Sequence, residues 1–370
     1  MWRFGIVAVC ALVALPVAAQ TVHQDLTEIL TVKVTEIMAE EDRVVPGTDT
    51  AVSVQTVASD ILSGDRAGEA LVFENELTPL EVGDRAFITH TTTINGDEFY
   101  LFKDFVRAGP LWWLFVMFAV LLLFFARWQG ARALLSLGLS VVAIFTLLIP
   151  ALLAGYNPAW VSLGVAGIIL ALILFITHGF KPVTYVAFFG TFSAVLLTCV
   201  VAYVWVEALR FSGLADETAI YLNFSTNGSL DFAGLLLGSI IIGILGVLDD
   251  VSITQAAVVA ELKAANQAMS RTELYKRAVR VGQSHVGSLV NTLAFAYVGV
   301  SLPLVLLFAH ANADLFLSLN QEVIAAELTR ILVGSIGLLL AVPLTTLVAT
   351  WWFDRNPVAE VDVHHCGHHH

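Results

Sequence analysis

Residues 234–262 read GLLLGSIIIGILGVLDDVSITQAAVVAEL. Roughly ten apolar or small residues flank Asp249 and Asp250 on each side, so the stretch is too apolar for an ordinary soluble helix. Two ionisable side chains at that depth are costly unless they face a partner or a water-filled cavity, which makes the pair the first candidate for function.

The rest of the chain agrees with a membrane reading. Of 370 residues, 58% are hydrophobic and only 13% are charged, and the mean hydropathy of +0.82 is far from that of a soluble globular chain. The net charge of −13 is concentrated: between Gln20 and Arg107 stand 17 acidic and 6 basic residues. Acidity therefore belongs to one soluble part and does not imply a nucleic-acid partner.

Residues 1–19 combine Arg3, an apolar run ending at Pro16 and small residues at Val17 and Ala19, the pattern of a signal peptide, with a retained signal anchor as the alternative. Either one exports the segment from Gln20 onward. In residues 20–107 the runs LTVKVTEI, TAVSVQTVASDIL, EALVFENEL, DRAFITHTTT and EFYLFKDFV alternate apolar with polar residues. Turn signals at Pro46-Gly47, Ser63-Gly64-Asp65, Gly83-Asp84 and Asn95-Gly96 separate them, so about five short strands are expected, arranged as an OB-like barrel. Cys10, Cys199 and Cys366 all fall outside this part, which rules out a disulfide framework in it.

Residues 108–353 predict a helical membrane bundle. Seven apolar spans are expected, at Leu111–Ala126, Ala133–Ala154, Ala159–Thr177, Val183–Val206, Phe232–Val251, Val286–Ala309 and Ile331–Phe353. With the acidic part outside, alternate loops deliver Arg127 and Arg132, then His178 and Lys181, then Lys263, Arg271, Lys276, Arg277 and Arg280 to the cytoplasm, as the positive-inside rule requires. The turn His178-Gly179-Phe180-Lys181-Pro182 is cytoplasmic on this reading. So are the helical link near 260–285, with Ser270 as N-cap and Glu273 at its third position, and the tail 354–370.

On the fifth span Ser239, Gly243, Gly246, Asp250 and Thr254 share one helical face. The small residues are candidate packing positions that let another helix approach. On the sixth, Ser284, Gly287 and Asn291 form one line, and His285, Ser288 and Thr292 the adjacent one. Asp249, Asp250, Thr254, His285, Asn291 and Thr292 are thus candidates for proton or ion coupling, His285 as a relay and Ser288 at the helix contact. The alternative is that the Asp pair sits at a cytoplasmic helix boundary and the amide and hydroxyls only join helices. Glu327 and Arg330, three residues apart, suit an interfacial ion pair. His364, His365, Cys366 and His368 in the tail are weak metal candidates, with a disordered end as the alternative. The chain has no HExxH, Walker loop or dinucleotide fingerprint, so neither an enzyme nor a cofactor is expected; the expected partners are the lipid bilayer and a second copy or another membrane protein.

Residues 246–262 (GVLDDVSITQAAVVAEL), 277–307 (RAVRVGQSHVGSLVNTLAFAYVGVSLPLVLL) and 327–346 (ELTRILVGSIGLLLAVPLTT) closely resemble the YibE/F family of bacterial multi-pass membrane proteins. With YLFKDFVRAGPLWWL at 100–114 the likeness runs from about Val32 to about Trp352. It implies an inner-membrane location and this architecture, without a substrate. Residues 247–262, the basic link and the next two spans are also similar to the Asp-bearing region of the RND exporters and SecDF translocation factors. In those the intramembrane Asp carries protons, a role the likeness would place on Asp249 and Asp250. The chain departs from them in having a single small exported domain. A proton-coupled or permease-like protein is therefore the first expectation, a non-transporting scaffold the second, and an intramembrane enzyme using Asp250 and His285 the third.

Overall fold

A computed structural model describes residues 26–44, 51–76, 78–93, 97–310 and 314–356. The expected signal segment at residues 1–19, the expected turns at Pro46-Gly47 and Asn95-Gly96 and the His/Cys tail fall outside those residues. The chain divides into two compact units, Met1–Phe118 and Ala119–His370.

In the first unit five antiparallel strands, β1 (Leu26–Val44), β2 (Ala51–Ile61), β3 (Ala70–Asn75), β4 (Arg85–Thr92) and β5 (Glu98–Phe105), form one sheet in the order β3-β2-β1-β4-β5. Period-2 alternation sends Leu71 and Phe73 of β3 and Ala86 and Ile88 of β4 inward, onto a core of Leu30, Val32, Val34, Val57 and Ile61. β1 is 19 residues long and serves two partners, its first part pairing with β4 and its later part with β2. Register shifts at Val34/Glu36 and Ile37/Ala39 bend it, as bulges do. The sheet curls until β3 and β5 lie near each other without becoming hydrogen-bonded neighbours, a half-barrel. Arg66, after β2, fastens the curl: its guanidinium donates to the Tyr100 hydroxyl at 2.7 Å, which donates to the Glu98 carboxylate at 2.5 Å. The His90 ring stacks on Tyr100 with centroids 4.6 Å apart. The strands match the sequence expectation; the closed OB-like barrel is not what the hydrogen bonds build among the described residues.

The helical part comprises α1 (Ala108–Ala143), a five-residue π-helical turn (Ile144–Leu148), α2 (Ile149–Leu153), α3 (Pro158–His178), α4 (Pro182–Ala208), α5 (Glu217–Ser225), α6 (Phe232–Ala265), α7 (Arg271–Val300), α8 (Leu302–His310), α9 (Leu315–Leu319) and α10 (Glu322–Arg355). Side-chain caps start several of them: Asn157 for α3, Asp231 for α6, and Ser270 for α7, where its hydroxyl accepts from the Glu273 amide as the sequence pattern predicts.

Five stretches are long and apolar enough to cross a membrane: Ala108–Leu153, α3, α4, α6 and α10. A sixth results if α7 and α8, bent by 64°, count as one span. The bend falls at Ser301-Leu302-Pro303, where proline lacks the N–H and crowds the preceding turn. The expected count of seven differs because its first two spans run together in Ala108–Leu153, 46 residues long. That stretch is not straight. Arg127 leaves the helical region (φ 48°, ψ −125°), and a Cβ on Gly130 would lie 2.6 Å from the Leu122 carbonyl oxygen. Eight residues of continuous helix would separate those positions by about 12 Å. The chain doubles back there.

α6 and α10 run parallel, tied by Thr345 to Ser252, Gln255 to Thr346 and Lys263 to Asp354. α4 runs antiparallel to α10, with Gly190 against Thr345 and Gly337 against Thr198. A Cβ on Gly190 would stand 2.6 Å from the Thr345 hydroxyl, so only hydrogen fits. Ile240, Ile241, Ile244 and Leu248 of α6 fill the core with Leu170, Leu174 and Leu338.

Gly190→Ala is expected to cost about 1–3 kcal/mol, the usual penalty of overpacking. Gly164→Ala, whose methyl meets open space, is expected to cost less than about 0.5 kcal/mol. Thermal unfolding of both variants in micelles checks the difference. In the β unit the Tyr100 hydroxyl, helped by Arg66, holds the Glu98 carboxyl below its ordinary value, whereas burial, with the Glu98 bond, raises Tyr100. Glu98 therefore contributes stability present above its unfolded value and lost as pH falls through its folded one; Tyr100 contributes stability lost as pH rises through its raised value. Glu98→Gln is expected to flatten the acid limb of unfolding followed by tyrosine fluorescence, and an unchanged limb would refute the linkage.

Candidate functional site

α6 carries its polar residues on two faces with different fates. Ser239, Gly243, Gly246, Asp250 and Thr254 are exposed along one side of the helix. Ser252 and Gln255 turn inward and are buried. A buried carboxamide needs partners for its donors, and Gln255 Nε2 donates to the Ala278 carbonyl of α7 at 2.9 Å and to Thr346 Oγ1 of α10 at 2.7 Å. Thr346 in turn donates to the Val342 carbonyl, and Thr345 Oγ1 donates to Ser252 Oγ at 3.1 Å. Gly282 of α7 makes room for this arrangement: a Cβ there would lie 2.6 Å from both Gln255 Oε1 and Val342.

These contacts set α7 beside α6 and leave a cavity of about 170 Å³ between them. Asp250, Thr254 and Gln255 line it from α6, Gly282, His285 and Ser288 from α7, and Val342 from α10. A carboxylate, an imidazole, two hydroxyls and a carboxamide thus converge where the helices are otherwise apolar. Such a set can hold and pass a proton, or ligate a small cation through oxygen. The charges of Lys181, Asp250 and Arg132 all act on His178 at the end of α3, which sets Asp250 near the level of the α3–α4 turn.

The other candidates lie elsewhere. Asp249 is half-buried, outside the cavity, and its Oδ1 accepts from the Asp250 amide at 2.9 Å. Asn291 lines a separate open depression between α7 and α10 with Gln283 and Pro343, and the Thr292 hydroxyl donates to the Ser288 carbonyl. Ser239 lines a second polar cavity, of about 190 Å³, with Asp216, Glu322, Glu327 and Arg330; the Glu327–Arg330 ion pair is formed there. Gly243 lies under the Tyr297 hydroxyl, and Gly246 faces open space. The tight seams of the bundle use other glycines, Gly190, Gly238, Gly282 and Gly337. No group of three or more metal-ligating side chains occurs among the described residues, and His364, His365, Cys366 and His368 lie outside them.

Gln255 and Thr346 escape a reading by helical face. Gln255 stands about 100° round the helix from Thr254, off the small-residue stripe. The signal that finds it is simpler: an amide in an apolar span needs a partner.

Gln255→Leu is expected to destabilise the bundle by about 1–3 kcal/mol, because it removes both hydrogen bonds that the carboxamide donates to α7 and α10. Thr346→Val should cost less, and the double variant less than the sum, a coupling that denaturant unfolding in micelles reads.

Residues 114–355 match the family model described as YibE/F-like protein. No curated protein and no solved structure matches the chain.

Proposed function

We propose that this chain, which belongs to the YibE/F-like family, is a proton- or cation-coupled, permease-like protein of the bacterial inner membrane. Asp250 is the group that takes up and releases the ion, and His285 relays it. The observation that carries this reading is the cavity in which Asp250, Thr254, His285 and Ser288 meet over the Gln255 carboxamide. An ionisable group in a span is retained where it faces such a cavity, and this one also has a titratable neighbour. Asp249 lies outside the cavity, its carboxylate accepting from the Asp250 amide. Asn291 and Thr292 have a lesser part on this reading.

The same proposal includes seven crossings, a cleaved leader, an exported OB-like domain and a cytoplasmic C-terminus. The reversal at Arg127 supports the seventh crossing, since 46 residues of straight helix would extend about 69 Å, more than twice the hydrocarbon core. The strand order, with β1 between β2 and β4 and the unpaired edges β3 and β5 curled toward each other, supports a partly open OB-like domain. Arg132 and Lys181, both acting on His178, gather positive charge at one end of the bundle, which supports a cytoplasmic assignment for that end.

A second reading, a scaffold that transports nothing, draws on the buried Gln255–Thr346 and Ser252–Thr345 bonds, which use polar side chains purely to join helices.

Proton flux into liposomes under an imposed pH gradient separates the two. Asp250→Asn at equal expression is expected to lower flux at least about tenfold, the loss of a group that exchanges protons directly. Asp249→Asn should retain more of it, and His285→Gln should slow it and shift its pH profile. Absence of flux in the native protein, or flux indifferent to Asp250→Asn, would favour the scaffold.

A further inference from the structure

α7 is the anomaly of the bundle. Of its 30 residues only Leu274, Ala278, Gly282, Val286 and Leu293 are buried. Between Gly282 and Tyr297 it exposes Gln283, Ser284, His285, Ser288, Asn291 and Thr292. Their depth is fixed by two contacts with α6. Gln255 bonds to Ala278, and Gly243 lies under Tyr297, so Ser288, Asn291 and Thr292 run beside the apolar stretch between Gly243 and Asp250.

Polar groups at that depth cannot face hydrocarbon without partners. Ser284 and Thr292 satisfy their hydroxyls on their own helix, donating to the Val281 and Ser288 carbonyls. The Asn291 carboxamide has no hydrogen-bond partner among the described residues. Gly287 beside it, and Gly246 on α6, have nothing within 4 Å of where a Cβ would stand. The face is polar, small-featured and open, which is how transmembrane helices meet one another.

We propose that this face is covered by a second copy of the chain, with α7 packed against α7 about a two-fold axis and Asn291 of each copy hydrogen-bonded to the other. The argument for a like partner is chemical. A carboxamide is both donor and acceptor, so Asn291 complements itself across a two-fold axis, as a single buried Asn does between paired helices. Ser288 and Asn291 carry no charge that a second copy would repel. His285 and Ser288 belong both to this face and to the Asp250 cavity, so the second copy also walls the cavity off from lipid. The inference does not depend on what the cavity carries.

Cysteine cross-linking in native membranes tests it. In a chain whose Cys10, Cys199 and Cys366 are replaced by Ser, the variants Ser288→Cys, Asn291→Cys and Phe295→Cys place a thiol along the face, and Leu196→Cys places one on the exposed side of α4. Oxidation is expected to yield a product of twice the 40.0 kDa of one chain at the α7 positions and little at Leu196. Two differently tagged copies should co-purify. Asn291→Leu is expected to weaken self-association about 3- to 30-fold, the range for one interhelical hydrogen bond. The proposal is overturned by no product at any α7 position, by equal yield at Leu196→Cys, by cross-linking only to a protein of another mass, or by one chain per particle in native mass spectrometry.

Discussion

The carboxamide of Gln255 is the fixed point of the helical unit. In a membrane the backbone of a helix satisfies itself, and a polar side chain must find its own partner. Gln255 finds two, the Ala278 carbonyl on α7 and the Thr346 hydroxyl on α10. One side chain thereby joins three helices and fixes their rotation. With Gln255 turned inward, the helical period turns Asp250 and Thr254 outward toward α7. Gly282, with no side chain of its own, lets α7 come close enough to accept the bond. The candidate site is thus a consequence of how the interior is satisfied.

Close approach recurs through the bundle wherever a glycine meets a hydroxyl: Gly190 with Thr345, Gly337 with Thr198, Gly238 with Ser162. The hydroxyls of Thr198 and Thr346 donate to carbonyls one turn back on their own helices, which satisfies their protons within the helix and leaves the Thr346 oxygen to accept from Gln255. Without a hydrophobic drive between spans in lipid, such contacts provide the association. They also explain why α4, α6 and α10 form a well-packed group while α7, with few buried residues and a polar outer face, lies over it as a partial cover.

The β unit obeys the physics of water instead. Its sheet alternates apolar and polar residues, collects the apolar ones on the concave side and curls. The connection between β2 and β3 is tied to the β5 edge by charge and hydrogen bonding, Arg66 to Tyr100 to Glu98, rather than by a continued ladder. There the Tyr100 bond holds the Glu98 carboxyl down while burial, with the Glu98 bond, raises Tyr100, so acid and base act on opposite members of the pair.

Sequence by itself determined the class and the parts: an apolar chain with one acidic segment, five alternating runs that form β1 to β5, and helices at each long apolar stretch. It also determined which polar residues stand in or beside apolar runs, Asp249, Asp250, His285 and Asn291, because the cost of a polar group in an apolar run is a local property. Only the tertiary structure decided which of them meet. Asp250 shares a cavity with His285 and Ser288, whereas Asp249, Asn291 and Thr292 do not line it, and that outcome depends on the rotation of α6 and α7 about their axes. Rotation is set by contacts more than twenty residues apart, Gln255 with Ala278 and Thr346, and by a glycine whose role is visible only when the neighbouring helix stands against it. The break at Arg127 and the bend after Val300 were hidden for the same reason: a hydropathy pattern counts apolar residues, but the path of the backbone through them is fixed by packing.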